Sequence, residues 1–175
     1  QRISAMLIDR GPGAEVKYLY GLMGSRGGGT GRVVFRDVEV PKTNLIGPLH
    51  SGAFVFNTMM IPERLCSAAP CTGGMQACLD VAMNYADRRK AFGQPIRKFQ
   101  AVSFMIAKAQ TLLDASRAMI YQAARAADAQ APNVRRIVSE SKKFVTEAAW
   151  DVANLAMQIT GGIGEALIAT MCGLA

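Results

Sequence analysis

Apolar residues recur at helical spacing through most of the chain after Ser51. A repeat of three and four residues places such side chains on one face of an α-helix, where they pack against other helices. Residues 93–95 and Pro132 interrupt the pattern, so it predicts three long helices joined by short connections. The predicted core positions are Met75, Leu79, Ala82, Met83 and Ala86 in the first helix, Val102, Ile106, Ala109, Leu113, Ser116, Ile120 and Ala123 in the second, and Val134, Ile137, Val138, Ser141, Val145, Ala148, Val152, Leu155 and Ile159 in the third.

The beginning of the chain follows a different pattern. It is rich in glycine and β-branched residues, and residues 3–8, 16–20 and 32–40 are typical of strands. The glycine-rich sequence GLMGSRGGGTG at residues 21–31 leads into a strand, whereas a dinucleotide-binding glycine turn opens a helix. We therefore predict a loop there, and we expect Pro41 and the segment VPKTNLIGP to end the strands.

The change of pattern near residue 48 predicts two parts in this chain of 175 residues. Residues 1–48 are predicted to be a remnant of a β domain, and residues 49–175 a truncated helical bundle. Long helices with short connections are typical of an up-down bundle. The predicted fold class is therefore α+β, with the last strands of an antiparallel β domain followed by an incomplete up-down α-helical bundle. We expect a piece of a longer protein, because the sequence begins at Gln1 inside a predicted strand.

Charge favours anionic partners. Twenty Lys and Arg residues outnumber thirteen Asp and Glu residues, giving a formal net charge of +7, which attracts nucleic acids, phosphate-bearing cofactors and acidic metabolites alike. Basic residues cluster at 88–98 and at 135–143, and solvated helix faces are the alternative interpretation. Because no aromatic stacking platform accompanies the first cluster, nucleic acid is not expected as a partner. The sequence has no uncharged apolar run of about 18 residues, so no membrane span is predicted either.

Cysteine and histidine are too sparse and too irregularly spaced for a metal site. His50 is the single histidine, and the four cysteines (Cys66, Cys71, Cys78 and Cys172) form no Cys-x-x-Cys pair. Zinc sites need several such ligands at characteristic spacings, so no metal is predicted. The cysteines are expected to be small apolar core residues of a helix.

Glu63 stands in an unusual sequence context. An apolar stretch, residues 54–61, precedes it, and Pro62 and Pro70 flank it. Each proline removes a backbone donor, so we expect a break in the helix there. One interpretation places Glu63 in the first turn of a helix after Pro62, where the helix dipole favours a carboxylate. The other interpretation is a functional carboxylate, and the residues alone leave both open.

Five segments occur in the same order as the motifs of a known family. From the N-terminus they are a glycine-rich loop, VVFRDVEVPKTNLIG, ERL, YADRRKAFGQPIRKFQAVSFMIA and AMQITGGIG. Together they resemble the acyl-CoA dehydrogenase family of flavoenzymes. The most specific parts are Arg-x-x-Phe-Gly followed by Phe-Gln, and Gln-x-x-Gly-Gly-x-Gly. The resemblance implies a three-part fold with an N-terminal helical domain, a middle β domain and a C-terminal four-helix bundle. The sequence departs from the family pattern after Gly164, so we expect the family's last helices to lie outside it.

The resemblance implies oxidation of an acyl-CoA thioester with FAD as the cofactor. In this family a carboxylate removes the α-proton while the flavin accepts a hydride from the β-carbon. Glu63 begins the sequence Glu-Arg-Leu, which is similar to the branch that includes isovaleryl-CoA dehydrogenase, where the base lies on the first bundle helix. Glu63 is therefore the implied catalytic base, and a residue further downstream is the alternative. Arg64 is the implied substrate-binding residue, with a structural ion pair as its alternative.

The first cofactor-binding motif implied by the resemblance contains Arg89, Phe92 and Gln100. Arg89 and Gln100 match positions that reach the phosphate and adenosine side of the flavin, and Phe92 would pack nearby as an apolar wall. A guanidinium fork matches the oxygens of a pyrophosphate well.

The second implied motif contains Gln158, Gly161 and Gly162. Glycines allow backbone N–H groups to come close to a phosphate or an adenine, although an ordinary helix C-cap is the alternative interpretation. In the family these contacts reach the flavin of a neighbouring subunit. The resemblance therefore implies a homo-oligomer that is a dimer of dimers.

The implied partners are an acyl-CoA substrate and an electron-transfer flavoprotein or a similar acceptor. The implied location is the bacterial cytoplasm or the mitochondrial matrix. A related acyl-CoA reductase is an alternative, because reductases share these motifs. A basic helical module that binds nucleic acid or serves assembly without catalytic activity is the remaining alternative.

Overall fold

Four short strands form two antiparallel pairs near the N-terminus of the computed structural model, which describes residues 2–22 and 25–164. Strand β1 (Ala5–Met6) pairs with β4 (Leu45–Ile46), and β2 (Ala14–Leu19) pairs with β3 (Gly31–Phe35). The chain divides into two units, Gln1–Met60 and Ile61–Ala175, and these strands belong to the first. The domain boundary near residue 48 stays a prediction.

Strands lie at the three predicted positions, but β1 and β3 are shorter than predicted, since β3 ends at Phe35 rather than at residue 40. Strand β4 was not predicted. A 3₁₀ turn at Lys42–Asn44 follows Pro41 and brings the chain back beside β1. Two hydrogen bonds fix this return: the Leu7 N–H donates to the Asn44 carbonyl at 2.9 Å, and the Asn44 side-chain amide donates to the Leu7 carbonyl at 3.0 Å. Pro41 therefore marks a turn between strands rather than the last strand's end.

The glycine-rich segment between β2 and β3 is a loop, as predicted. Its described part contains a single 3₁₀ turn, Arg26–Gly28, flanked by Ser25 and Gly29 in the left-handed region with φ of 52° and 63°. The chain then enters β3 rather than a helix. The segment thus lacks the strand–turn–helix arrangement that a dinucleotide-binding glycine turn requires.

Three long helices follow, as the apolar spacing predicts. They are α1 (Gly52–Arg88), α2 (Gln100–Asp128) and α3 (Val134–Thr160). A small hairpin of β5 (Lys90–Ala91) and β6 (Gln94–Pro95) connects α1 to α2. No helix in the described part of the chain is long and apolar enough to cross a membrane.

Two hydrogen bonds, one between side chains and one between backbone groups, define the relative directions of α1 and α2. The Arg117 guanidinium of α2 donates to the Gln76 side-chain oxygen of α1 at 2.9 Å, and the backbone N–H of Ile96, just before α2, donates to the carbonyl of Arg89 just after α1. Helices α1 and α2 therefore run antiparallel. The five-residue link 129–133 turns the chain again, so α3 runs in the same direction as α1.

The helices bury a shared apolar core within the second unit. Met75 and Leu79 of α1, Leu113 of α2 and Val152 of α3 are almost completely buried. Every predicted core position in the three helices is buried or half-buried, so the sequence-based core is confirmed. Five buried alanines belong to the same core: Ala82, Ala86, Ala109, Ala148 and Ala156.

The expected helix break at Pro62 and Pro70 is wrong, because α1 continues through both residues. A proline inside a helix removes one backbone hydrogen bond, but the neighbouring turns can retain theirs. Packing of α1 in the core outweighs the unfavourable helix propensity of proline. Glu63 consequently lies well inside α1 and not in a first turn, so the helix-dipole interpretation is also wrong.

The cysteines occupy mixed environments. Cys78 is a core residue of α1, as expected, and Cys71 is half-buried. Cys66 is exposed, so the core expectation is wrong for that residue, while Cys172 lies outside the described residues. Across the described residues, no group of three or more His, Cys, Asp or Glu side chains is arranged to hold a metal ion.

Leu113→Ala should destabilise the folded protein by about 2–5 kcal/mol, because the lost methyl groups leave a cavity among three helices. Leu112→Ala is the matched control, since Leu112 is only half-buried at the edge of the same core. Thermal unfolding followed by far-ultraviolet circular dichroism should give a clearly lower Tm for the first variant. Equal Tm values for the two variants would contradict the core described here.

Candidate functional site

A groove of about 590 Å³ opens where α1 ends. Most of its wall comes from α1, because residues three and four positions apart share one helix face. The opposite side comes from a 3₁₀ turn, Gly161–Ile163, that directly follows α3. The lining residues are Val81, Asn84, Tyr85, Arg88, Arg89 and Ile163.

Two guanidinium groups give this groove a positive charge. Among the described residues, neither Arg88 nor Arg89 has a side-chain hydrogen bond or an ion pair. The adjacent acid, Asp87, pairs with Arg97 at 2.8 Å and does not neutralise them. Cations at a helix C-terminus interact favourably with the helix dipole, and guanidinium forks also suit an anion such as a diphosphate.

Backbone hydrogen bonds hold Arg89 in place between α1 and the hairpin. Its N–H donates to the Tyr85 carbonyl at 2.8 Å, and its carbonyl accepts from the Ile96 N–H at 2.9 Å. The arginine therefore extends from a fixed backbone position, while its charged end keeps its hydrogen-bonding capacity.

Gly161 closes α3 with a backbone conformation that suits glycine. Its φ of 62° and ψ of −142° lie in a region from which a Cβ atom is essentially excluded, and its N–H caps the helix by donating to the Met157 carbonyl. The C-cap interpretation thus describes Gly161, and its backbone also stands next to the groove-lining Ile163. Gly162 is exposed with open space around it, and Gln158 is exposed on the last turn of α3.

Phe92 and Gln100 do not line this groove. Phe92 and Gly93 form the tip of the β5–β6 hairpin with φ of 50° and 80°, as a two-residue turn requires. The Phe92 ring is 96% exposed and meets the Phe99 ring edge-to-face, with centroids 6.2 Å apart. Phe99 directly precedes Gln100, which begins α2 with an exposed side chain.

Glu63 and Arg64 form a separate location on α1, and neither lines the groove. The Glu63 side chain is exposed, and its Oε1 accepts a hydrogen bond from the Ser67 hydroxyl at 2.8 Å. Half-buried Arg64 extends to α3, where its Nη1 donates to the Ser139 hydroxyl at 3.1 Å. The structural ion pair expected as an alternative for Arg64 is not seen in the described part of the chain.

Several residues of these two locations were not identified from the sequence. Tyr85 lies four positions before Arg89, and Asn84 lies four positions before Arg88, so helical spacing from the two arginines could have indicated them. Ile163 of the turn after α3 and Ser139 of α3 could not have been found this way, because both come close to α1 only through tertiary packing.

The fold and the groove together describe a helical domain that follows small antiparallel strands and has a groove lined by two arginines where its first helix ends. A family model described as acyl-CoA dehydrogenase, C-terminal domain, matches residues 50–169. The chain belongs to the acyl-CoA dehydrogenase family, which confirms the resemblance of its motifs.

Relatives with known names agree with this family. The chain is 37% identical over 163 residues to the probable acyl-CoA dehydrogenase YngJ of Bacillus subtilis, with 93% of this chain and 43% of the relative covered. It is 37% identical over 163 residues to the mitochondrial isovaleryl-CoA dehydrogenase of Oryza sativa, with 93% and 40% covered. It is 34% identical over 163 residues to the caffeyl-CoA reductase-Etf complex subunit CarC of Acetobacterium woodii, with 93% and 43% covered. The chain thus spans less than half the length of these relatives.

Solved structures confirm the predicted α+β fold class. The butyryl-CoA dehydrogenase of Megasphaera elsdenii superposes with a TM-score of 0.91 at 29% identity, covering 98% of this chain and 45% of that one. A structure described as PigA with FAD and proline also gives a TM-score of 0.91 at 29% identity, covering 97% and 45%.

Gly161→Ala should destabilise the folded protein by about 1–3 kcal/mol, because the alanine side chain is strained at the observed backbone angles. Gly162→Ala is the matched control, since an added Cβ there meets no atom within 4 Å. Thermal unfolding should show a lower Tm for the first variant and an unchanged Tm for the second. If both variants unfold at the same temperature, Gly161 is not needed for the turn.

Proposed function

We propose that this chain is part of an FAD-dependent acyl-CoA dehydrogenase that removes hydrogen from the α- and β-carbons of an acyl-CoA thioester. The observation that carries the proposal is the groove in which the uncompensated Arg88 and Arg89 face the turn after α3. Membership of the acyl-CoA dehydrogenase family supports it independently.

The groove residues fit the phosphate and adenosine side of FAD. Arg89 would donate to the diphosphate, since its guanidinium has no other partner in the described residues. The exposed backbone of Gly161 and Gly162 would allow close approach, with Gln158 beside them. When bound, FAD supplies the hydride acceptor that no amino-acid side chain provides.

Glu63 is the proposed catalytic base. Its carboxylate would take the α-proton of the thioester, which requires a poised carboxylate in a site that excludes water. The Glu63 side chain is exposed in this chain, so the substrate, FAD and the remainder of the enzyme would have to cover it. The adjacent cation does not neutralise it, because Arg64 is directed to Ser139 of α3. Only Nη1 of Arg64 is engaged there, so its remaining N–H groups are available for the proposed contact with substrate.

A homo-oligomer, a dimer of dimers, completes the proposed cofactor site. Phe92, Gln100 and Gln158 are exposed in this chain, which suits contacts to the flavin of a second subunit. We propose an electron-transfer flavoprotein or a similar acceptor as the redox partner, supported by the name of the Acetobacterium relative. The bacterial cytoplasm or the mitochondrial matrix is the corresponding location.

An acyl-CoA reductase is the second candidate function. The same relative is named as a caffeyl-CoA reductase subunit, and its identity to this chain is close to that of the dehydrogenases. Assays of the intact enzyme in both directions, with a dye that accepts electrons or with a reduced dye and an enoyl-CoA, distinguish the two.

Glu63→Gln should abolish most turnover while the protein keeps its flavin. Loss of the base should lower kcat by about 10²–10⁴-fold, because general-base catalysis contributes that much. Dye-linked oxidation of isovaleryl-CoA and butyryl-CoA by the intact enzyme measures the effect. The control Glu140→Gln removes an exposed glutamate that pairs with Arg136 on α3, and it should remain active. Normal turnover by Glu63→Gln would show that the base lies elsewhere.

Arg89→Gln should weaken FAD binding to the intact apoprotein by about 10- to 100-fold, as expected for the loss of a charge-assisted hydrogen bond. Fluorescence titration with FAD gives the Kd. The control is Arg125→Gln, because Arg125 is an exposed arginine in the last turn of α2. Equal Kd values for wild type and both variants would exclude the groove as the phosphate-binding site.

A further inference from the structure

In the part of the chain that the structure describes, the side-chain carboxylate of Glu63 has one hydrogen-bond donor, and that donor is neutral. Ser67 lies one helical turn further along α1, and its hydroxyl is 2.8 Å from Glu63 Oε1. Within the described residues, Oε2 of Glu63 has no hydrogen bond and no ion pair. One oxygen is therefore fixed while the other remains able to accept a proton.

We infer that Ser67 is a positioning residue for Glu63, which orients the carboxylate through Oε1 so that Oε2 faces the reacting proton. This inference rests on the proposed function, in which Glu63 is the base. Ser67 itself would touch neither the substrate nor the cofactor, and its effect would reach the reaction only through Glu63.

The Ser67 hydroxyl is itself anchored. It also lies 2.9 Å from the backbone carbonyl of Glu63, so its single proton is shared between the carbonyl and Oε1. The carbonyl contact fixes the rotamer of the serine, because a helical serine commonly bonds four residues back. The Thr111 hydroxyl on α2 makes this backbone contact alone within residues 2–22 and 25–164, to the Ala107 carbonyl at 2.9 Å. The added contact to a carboxylate therefore distinguishes Ser67 from an ordinary helical hydroxyl.

A neutral donor suits a base better than a cation does. An arginine paired with the carboxylate would stabilise its negative charge strongly and reduce its tendency to accept a proton. Arg64 is the nearest cation in the sequence, and it is bound to Ser139, whose hydroxyl donates in turn to the Arg135 carbonyl at 2.6 Å. The packing of α1 on α3 thus engages the adjacent cation elsewhere and leaves Ser67 as the partner of Glu63 among the described residues.

Proton abstraction can be measured without oxidation. Glu63 takes a proton from the α-carbon, the electron pair of the C–H bond passes into the thioester enolate, and the carboxyl group exchanges its proton with solvent. In D₂O the reverse step returns a deuteron to the α-carbon. The probe is 3-thiabutyryl-CoA, whose β-position is a sulfur atom that carries no hydrogen, so that no hydride can leave.

The experiment compares wild type, Ser67→Ala and Ser67→Thr in the intact flavin-loaded enzyme. The exchange rate follows from the loss of the α-proton signal in the proton NMR spectrum. Ser67→Ala should lower the maximal exchange rate about ten-fold, as expected for the loss of a hydrogen bond to a charged group. The concentration of 3-thiabutyryl-CoA that gives half of the maximal rate should not change. Ser67→Thr keeps the hydroxyl and should restore a rate near that of wild type. Thr111→Ala is the matched control and should exchange at the wild-type rate.

Glu63→Gln separates this inference from the proposed function. If Glu63→Gln abolishes exchange while Ser67→Ala exchanges at the wild-type rate, Glu63 is the base and the role of Ser67 is refuted. A Ser67→Thr rate as low as that of Ser67→Ala would refute it as well, because the hydroxyl would then not be responsible. Undiminished exchange in Glu63→Gln would overturn both assignments.

Discussion

Close packing of three helices is the constraint on which the candidate sites depend. Alanine residues such as Ala82, Ala109 and Ala156 line the contacts, and small side chains allow helix backbones to approach closely while dispersion contacts remain dense. This packing brings the turn after α3 beside the end of α1, where the groove forms. It also brings Ser139 to Arg64. Both candidate locations are therefore consequences of the core, although their own residues are mostly outside it.

The two locations lie far apart along one helix. Glu63 and Arg89 are separated by up to roughly 40 Å along the axis of α1, given a rise of about 1.5 Å per residue. A single dinucleotide bound to one copy of this chain would not reach both. The separation supports the proposal that the groove and the carboxylate serve flavins of different active sites, which requires at least two copies of the chain. Oligomerisation would then be part of the catalytic arrangement and more than a source of stability.

The spacing of apolar residues along the sequence predicted the helices and their core well, since helical periodicity depends only on residues that are near one another in the chain. It failed where local and tertiary preferences disagree, as at Pro62, whose helix-breaking tendency is overcome by the packing of α1. It also failed for β4, because the pairing of Ala5 with Ile46 joins distant parts of the chain. The groove also combines predictable and unpredictable residues. The motif resemblance indicated Arg89, whereas Ile163 lines the groove only because the end of α3 lies beside the end of α1.

The hairpin between α1 and α2 presents an exposed aromatic ring that a second surface could cover. Phe92 holds a left-handed backbone conformation that costs a bulky residue about 1–3 kcal/mol, and Phe99 supports its almost fully exposed ring. The hairpin backbone thus presents the ring to solvent before it meets any other surface. Ordering a flexible backbone segment on association costs conformational entropy, and folding of the hairpin has already met that cost for the backbone that carries Phe92. A surface that covers Phe92 gains the hydrophobic contribution of an aromatic ring at the cost of side-chain motion alone, which favours binding in a defined orientation.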